Sequence, residues 1–129
     1  MADIRDEVRM RAGGCCEYCR ISDVRVSTPF QLDHIIAEKH GGPITLENLS
    51  WSCLDCNSYK GPNIAGRDAN QTVRLFDPRK DDWKKHFDWN GPILVGRTAI
   101  GRATIDVLRI NISYRVAVRA SLIDEESLL

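Results

Sequence analysis

Two cysteine pairs, Cys16-Glu17-Tyr18-Cys19 and Cys53-Leu54-Asp55-Cys56, bracket an acid beside a histidine, Asp33-His34. A CxxC hook sets two thiolates about one tetrahedral edge apart, so two hooks make a four-sulfur set suited to zinc. Zinc bound by four cysteines has no open position, which makes the hooks a staple and leaves the chemistry to other residues. An ordinary zinc ribbon separates its hooks by roughly 15–20 residues. Here the gap is longer and carries Asp33-His34, a Gly41-Gly42 turn and Asn48. The spacing therefore predicts a metal-stapled hairpin with a site built into it. Of the five cysteines, Cys15 is the spare, expected to be a free or partly buried thiol. Its use in place of Cys16 is the weaker alternative, because only Cys16 has the CxxC spacing to Cys19.

The elements that must hold these residues are short. Residues 3–12 predict a helix stopped by Gly13-Gly14. Val24-Arg25-Val26 and then Phe30 to Ile35 alternate as strands around a turn at Pro29, and Leu49 to Ser52 reads as the next strand. Leu32 and Trp51 are expected to be packing residues. Asp55 to Lys60 opens with capping residues and predicts a helix ended by Gly61-Pro62. Residues 61–78 read as an irregular connector with 73–76 extended. Lys80 to Phe87 fits a helix with Trp83 and Phe87 on one face, and Asn90-Gly91 a turn before a strand at Ile93 to Val95. Thr98 caps a predicted helix to about Arg109 with Ile100, Thr104, Val107 and Leu108 inward. The last helix, from about Ser113, is expected to bury Tyr114, Val118 and Leu122, or Val116 and Ile123.

The 129 residues suggest one domain, 1–129, small enough to gain from a metal staple. No apolar run approaches the ~20 residues that span a bilayer, and the charged start Met1 to Asp6 lacks the apolar stretch of a signal peptide. The expectation is a protein of the reducing cytosol, where paired cysteines favour metal over disulfide. A formal net charge of zero gives no support to nucleic-acid binding by itself. The charge is uneven: basic residues gather between Lys60 and Arg102, and Asp124-Glu125-Glu126 supplies negative charge in the tail. A local basic face and a solvated mixed-charge surface are both open readings.

Cys16-x-x-Cys19, Leu32-Asp33-His34-Ile35, Gly41-Gly42, Glu47-Asn48-Leu49 and Cys53-x-x-Cys56-Asn57-x-x-Lys60-Gly61, in that order, resemble the zinc-bearing subgroup of the HNH endonuclease family. The resemblance covers roughly residues 11–62, with asparagine at the third motif position; 63–129 is an extension expected to pack on this core. It implies an α+β fold built on a ββα-metal finger, stapled by a four-cysteine zinc, with additional helices in the C-terminal half. The implied activity is metal-dependent hydrolysis of DNA phosphodiester bonds to 5′-phosphate and 3′-hydroxyl ends. His34 would be the general base, a role suited to an imidazole at neutral pH, and Asn48 would brace the loop that angles it. Asp33 and Asn57 would ligate a catalytic ion, and their oxygens suit Mg²⁺ or Mn²⁺. Cys16, Cys19, Cys53 and Cys56 would hold structural zinc. His40 and Lys60 are candidate phosphate contacts, each weighed against a plain surface role, and His86 is expected to be structural. Arg74, Arg79, Lys80, Lys84 and Lys85 are candidates to face a nucleic-acid backbone. DNA is the expected partner, with RNA, and monomer or homodimer, left open. The alternative is a non-catalytic, zinc-stabilised nucleic-acid-binding module.

Overall fold

The computed structural model describes residues 3–125; Met1, Ala2 and residues 126–129, including the tail acid Glu126, lie outside the described residues. Helix α1, Ile4–Arg11, begins where the Asp3 side chain accepts a hydrogen bond from the Asp6 N–H, with Asp6 and Glu7 in its first turn and Arg9 and Arg11 in its last. That arrangement caps one end and complements the helix dipole at both. Only Val8 of this helix is buried. Arg11 instead ties it down, donating to the carbonyls of Leu46 at 2.8 Å and Leu49 at 2.6 Å.

Strands β1, Gln31–His34, and β2, Leu49–Ser52, form an antiparallel ladder in which Asp33 faces Ser50 and His34 faces Leu49. Helix α2, Leu54–Lys60, follows at once, with the Cys53 sulfur as its cap. These three elements are a ββα finger, and the two cysteine hooks tie its base. The C-terminal half adds hairpin β3–β4, Ala65–Asp68 with Gln71–Arg74, and hairpin β5–β6, Phe87–Asn90 with Ile93–Gly96. It also adds a single-turn helix α3, Trp83–His86, and helices α4, Ala99–Val107, and α5, Ser113–Asp124. Among the described residues the ladders are three separate two-stranded pairs.

Two-stranded ladders this short are marginal alone and need a covering layer. Helix α4 supplies it for β3, β4 and β6. One apolar cluster runs from Val8 through Phe30, Leu49 and Trp51 to Phe87, Leu94, Leu108 and Leu122, so both halves of the chain share it. At its centre Phe76 meets Phe87 edge-on at 5.2 Å, and the Trp83 Nε1–H donates to the Tyr18 carbonyl at 2.8 Å. Full burial of a side chain such as Phe87 stabilises the fold by about 1.5–3 kcal/mol.

Several sequence expectations are corrected here. Val24 to Val26 form no strand; the isolated bridge Cys15–Ser22 lies just before them. Residues 61–78 contain a hairpin in place of an irregular connector, turning at Ala69 with φ 52°. Phe87 begins β5 instead of ending a helix. The buried face of α5 is Arg115, Arg119 and Leu122, while Tyr114, Val118 and Ile123 are exposed. Thr98 does cap α4, its hydroxyl accepting from the Gly101 N–H at 3.1 Å.

Candidate functional site

The first hook is a tight turn in which the Cys16 N–H donates to Ile21 and the Arg20 N–H to Cys16, both at 2.9 Å, with Arg20 left-handed at φ 69°. The second hook is the start of α2, where the Cys56 N–H donates to the Cys53 sulfur at 3.4 Å. The two hooks meet: the sulfurs of Cys16, Cys19, Cys53 and Cys56 lie within 4.8 Å of one another, all buried. Cys15 is half-buried outside this set, as its spare role predicts. Four thiols this close cannot all ionise without a cation among them. Hydrogen bonding from Cys16 draws the Cys19 thiol well below the usual range, while burial pushes the Cys56 thiol well above it. The donor set and its closure fit one tetrahedral metal ion.

Above the staple, β1 carries Asp33 inward. Its carboxylate is 3% exposed. Oδ2 accepts from the Tyr18 hydroxyl at 2.7 Å and the Ser50 hydroxyl at 3.3 Å, and Oδ1 from Lys60 Nζ at 3.2 Å. Burial pushes the Asp33 carboxyl above its ordinary value, against the pull of Lys60, Tyr18 and Ser50. Burial also holds the Tyr18 phenol well above its usual range, so it stays a donor. Lys60 is 1% exposed and its ammonium further donates to the carbonyls of His34 at 2.9 Å and Ile35 at 3.2 Å. The sequence expectation of a phosphate contact or a solvated lysine is therefore corrected. All the acceptors around Lys60 are inside the finger, and a buried ammonium needs them there.

His34 closes β1 with its side chain 26% exposed, and Nε2 is shielded without a hydrogen-bond partner among the described residues. Glu38 Oε1 approaches that nitrogen to 3.5 Å. Asn48 stands behind the loop that follows. Its Oδ1 accepts from the Ile36 N–H, its Nδ2 donates to the carbonyls of Ile36 and Pro43, each at 2.9 Å, and its own carbonyl accepts from Ile35 at 2.8 Å. Gly42 lets this loop close: a Cβ there would lie 1.6 Å from the Ile36 oxygen. Asn57 is half-buried on α2, one turn before Lys60, and its side chain makes no hydrogen bond among the described residues.

Other candidates fall elsewhere. His40 is exposed at the end of the 3₁₀ turn Glu38–His40. His86 is buried, with Nδ1 2.6 Å from the Thr98 hydroxyl, as a structural residue would be. Arg79 is not presented outward but turns in to pair with buried Glu17, and Arg74 makes a two-point pair with Asp81 at 2.7 and 2.8 Å. Lys80, Lys84 and Lys85 are exposed. Sequence reasoning missed Tyr18, Ser50 and Arg115. Tyr18 lies inside a hook, and that position was its only signal.

Residues 16–63 match the family model described as HNH endonuclease. That match likens the segment, well under half of the chain, to HNH endonucleases. No curated protein and no solved structure matches the chain. The matched segment covers both hooks, β1, β2 and α2, so the ββα finger and the family match coincide in sequence. Such a match supports a nuclease or nucleic-acid-binding role. Among the described residues, no helix is long and apolar enough to cross a membrane.

Proposed function

We propose that the chain is a metal-dependent endonuclease that hydrolyses DNA phosphodiester bonds to 5′-phosphate and 3′-hydroxyl ends, with the cysteine tetrad holding structural zinc. The observation that carries this reading is the His34 Nε2 atom, shielded yet without a hydrogen-bond partner among the described residues. That nitrogen makes no hydrogen bond, although Glu38 Oε1 lies 3.5 Å away, and an attacking water is a partner from which it can take a proton. Asn48 holds the following backbone so that the imidazole keeps its direction. Asp33 Oδ1 carries one long hydrogen bond and the Asn57 amide none among the described residues, so both retain lone pairs for a hard cation. Asp33 and Asn57 would hold that ion, Mg²⁺ or Mn²⁺, with Lys60 as a competing cation at the same carboxylate. When bound, it would neutralise charge at the phosphate and the leaving 3′ oxygen.

A second reading, a non-catalytic zinc-stabilised nucleic-acid-binding module, is favoured by one observation: the Asp33 carboxylate is already compensated by Lys60, Tyr18 and Ser50. Plasmid cleavage separates the two. Purified protein with Mg²⁺ or Mn²⁺ is compared with His34→Ala, zinc content being measured in both. Metal-dependent nicking that is lost in a variant retaining zinc is the expected result. DNA binding without cleavage in the wild type would select the second reading.

A further inference from the structure

Among the described residues, Arg115 carries the C-terminal half to the cysteine sulfurs themselves. Arg115 is on α5, 59 residues from Cys56, and its side chain is 4% exposed. Nη2 donates to the Cys56 sulfur at 3.1 Å and lies 3.8 Å from the Cys53 sulfur. Nη1 donates to the Leu108 carbonyl at 2.7 Å, just beyond α4, and Nε lies 3.8 Å from an Asp55 oxygen. The guanidinium is thus fixed at one end by backbone and presented at the other to the thiols of the second hook.

Four thiolates around a divalent ion leave two negative charges in a buried setting, which is costly unless a cation and hydrogen bonds offset them. Groups that donate to metal ligands also fix their orientation and tune their basicity. We propose that Arg115 is an outer-sphere partner of the metal centre: its N–H···S bonds hold the second hook and offset the charge of the tetrathiolate, so that helix α5 completes the zinc site. This rests on the tetrad being a zinc site and is independent of the nuclease reading. The C-terminal half then acts as part of the staple, not only as a covering layer.

Cobalt(II) titration of the full chain tests the proposal, because a tetrathiolate cobalt centre shows a sulfur-to-metal charge-transfer band. N–H donors draw electron density from sulfur and raise the energy of that band. Arg115→Met keeps the apolar stem and removes the donors. It is expected to move the band to lower energy and to weaken zinc binding, measured against a chromophoric chelator, by about 10–100-fold. Arg115→Lys is expected to fall between Arg115→Met and wild type. Leu122→Ala loosens the same helix from its buried side while leaving the N–H···S bonds in place, so it should lower stability without moving the band. A wild-type band and affinity in Arg115→Met would overturn the proposal. So would a Leu122→Ala shift as large as that of Arg115→Met, since helix docking alone would then account for both. Should Arg115→Met not fold, Arg115→Lys carries the same test, and an unchanged band and affinity overturns it. A wild-type chain that takes up no cobalt overturns the zinc assignment and this inference together. No readout uses DNA, so failure here is distinguishable from failure of the nuclease reading.

Discussion

Asn48 grips the peptide of Ile36 from both sides, its amide oxygen accepting the Ile36 N–H and its amide nitrogen donating to the Ile36 carbonyl, each at 2.9 Å. Ile36 is two residues past His34, so this pair sets where the candidate base ends its strand and where the chain turns. Asn48→Ala should cost about 1–3 kcal/mol, the penalty of leaving buried backbone groups unpaired. Asn48→Asp should be worse, because a carboxylate oxygen would replace the amide donor facing the Ile36 and Pro43 carbonyls. Urea denaturation of both variants checks the order.

Gly42→Ala should damage the same loop from the other side. The added Cβ would meet the Ile36 oxygen at 1.6 Å, closer than any side chain can approach backbone. The expected outcome is loss of cleavage with zinc content unchanged, because neither cysteine hook lies in this loop. Zinc analysis beside the plasmid assay reads both quantities.

Lys60→Met should destabilise the fold by about 3–5 kcal/mol, since it leaves the Asp33 carboxylate buried without its counter-charge. Lys60→Met combined with Asp33→Asn removes both charges and should recover part of that loss. A double-mutant cycle by chemical denaturation measures the coupling. Additive effects would mean the two side chains are not paired.

Acid should weaken the packing around α3 through Asp81. Hydrogen bonds from Arg74, together with the Asp77 N–H, hold the Asp81 carboxyl below its ordinary value. A carboxyl depressed in the folded state adds stability above its unfolded value, near pH 4, and that stability is lost as pH falls through the lower folded value. With Arg74 half-exposed, solvent screening limits the contribution to about 1 kcal/mol. Asp81→Asn should remove this part of the acid slope, read from denaturation midpoints between about pH 5 and 3.

What the sequence disclosed follows the range of the interactions involved. Each CxxC hook and the Thr98 cap depend on neighbours three positions away and were legible, while the β1–β2 pairing, between residues 15 to 21 apart, was legible through the resemblance that implied the finger. Lys60 and Arg115 were not, because Lys60 is held by acceptors 25 to 27 residues away and Arg115 by cysteine sulfurs 59 and 62 residues away. On α5 the apolar pattern suggests Tyr114 and Val118 as the inner face, yet the face that docks is the one whose arginines find the tetrad, the Leu108 carbonyl and the Pro92 carbonyl. Hairpin β3–β4 was hidden because its strands, Ala65–Asp68 and Gln71–Arg74, carry few β-formers and its turn uses Ala69 where a glycine would have signalled it.

Joining the hooks also acts on the chain before any of this packing exists. Cys19 and Cys53 are 34 positions apart, and an ion gripping both closes a ring that contains β1, the Asn48 loop and β2. Where the thiolates keep the ion in the unfolded chain, a cross-link around a ring of that length removes chain entropy worth on the order of 4 kcal/mol. Four-residue strands that could not find each other unaided would then begin their search already tethered.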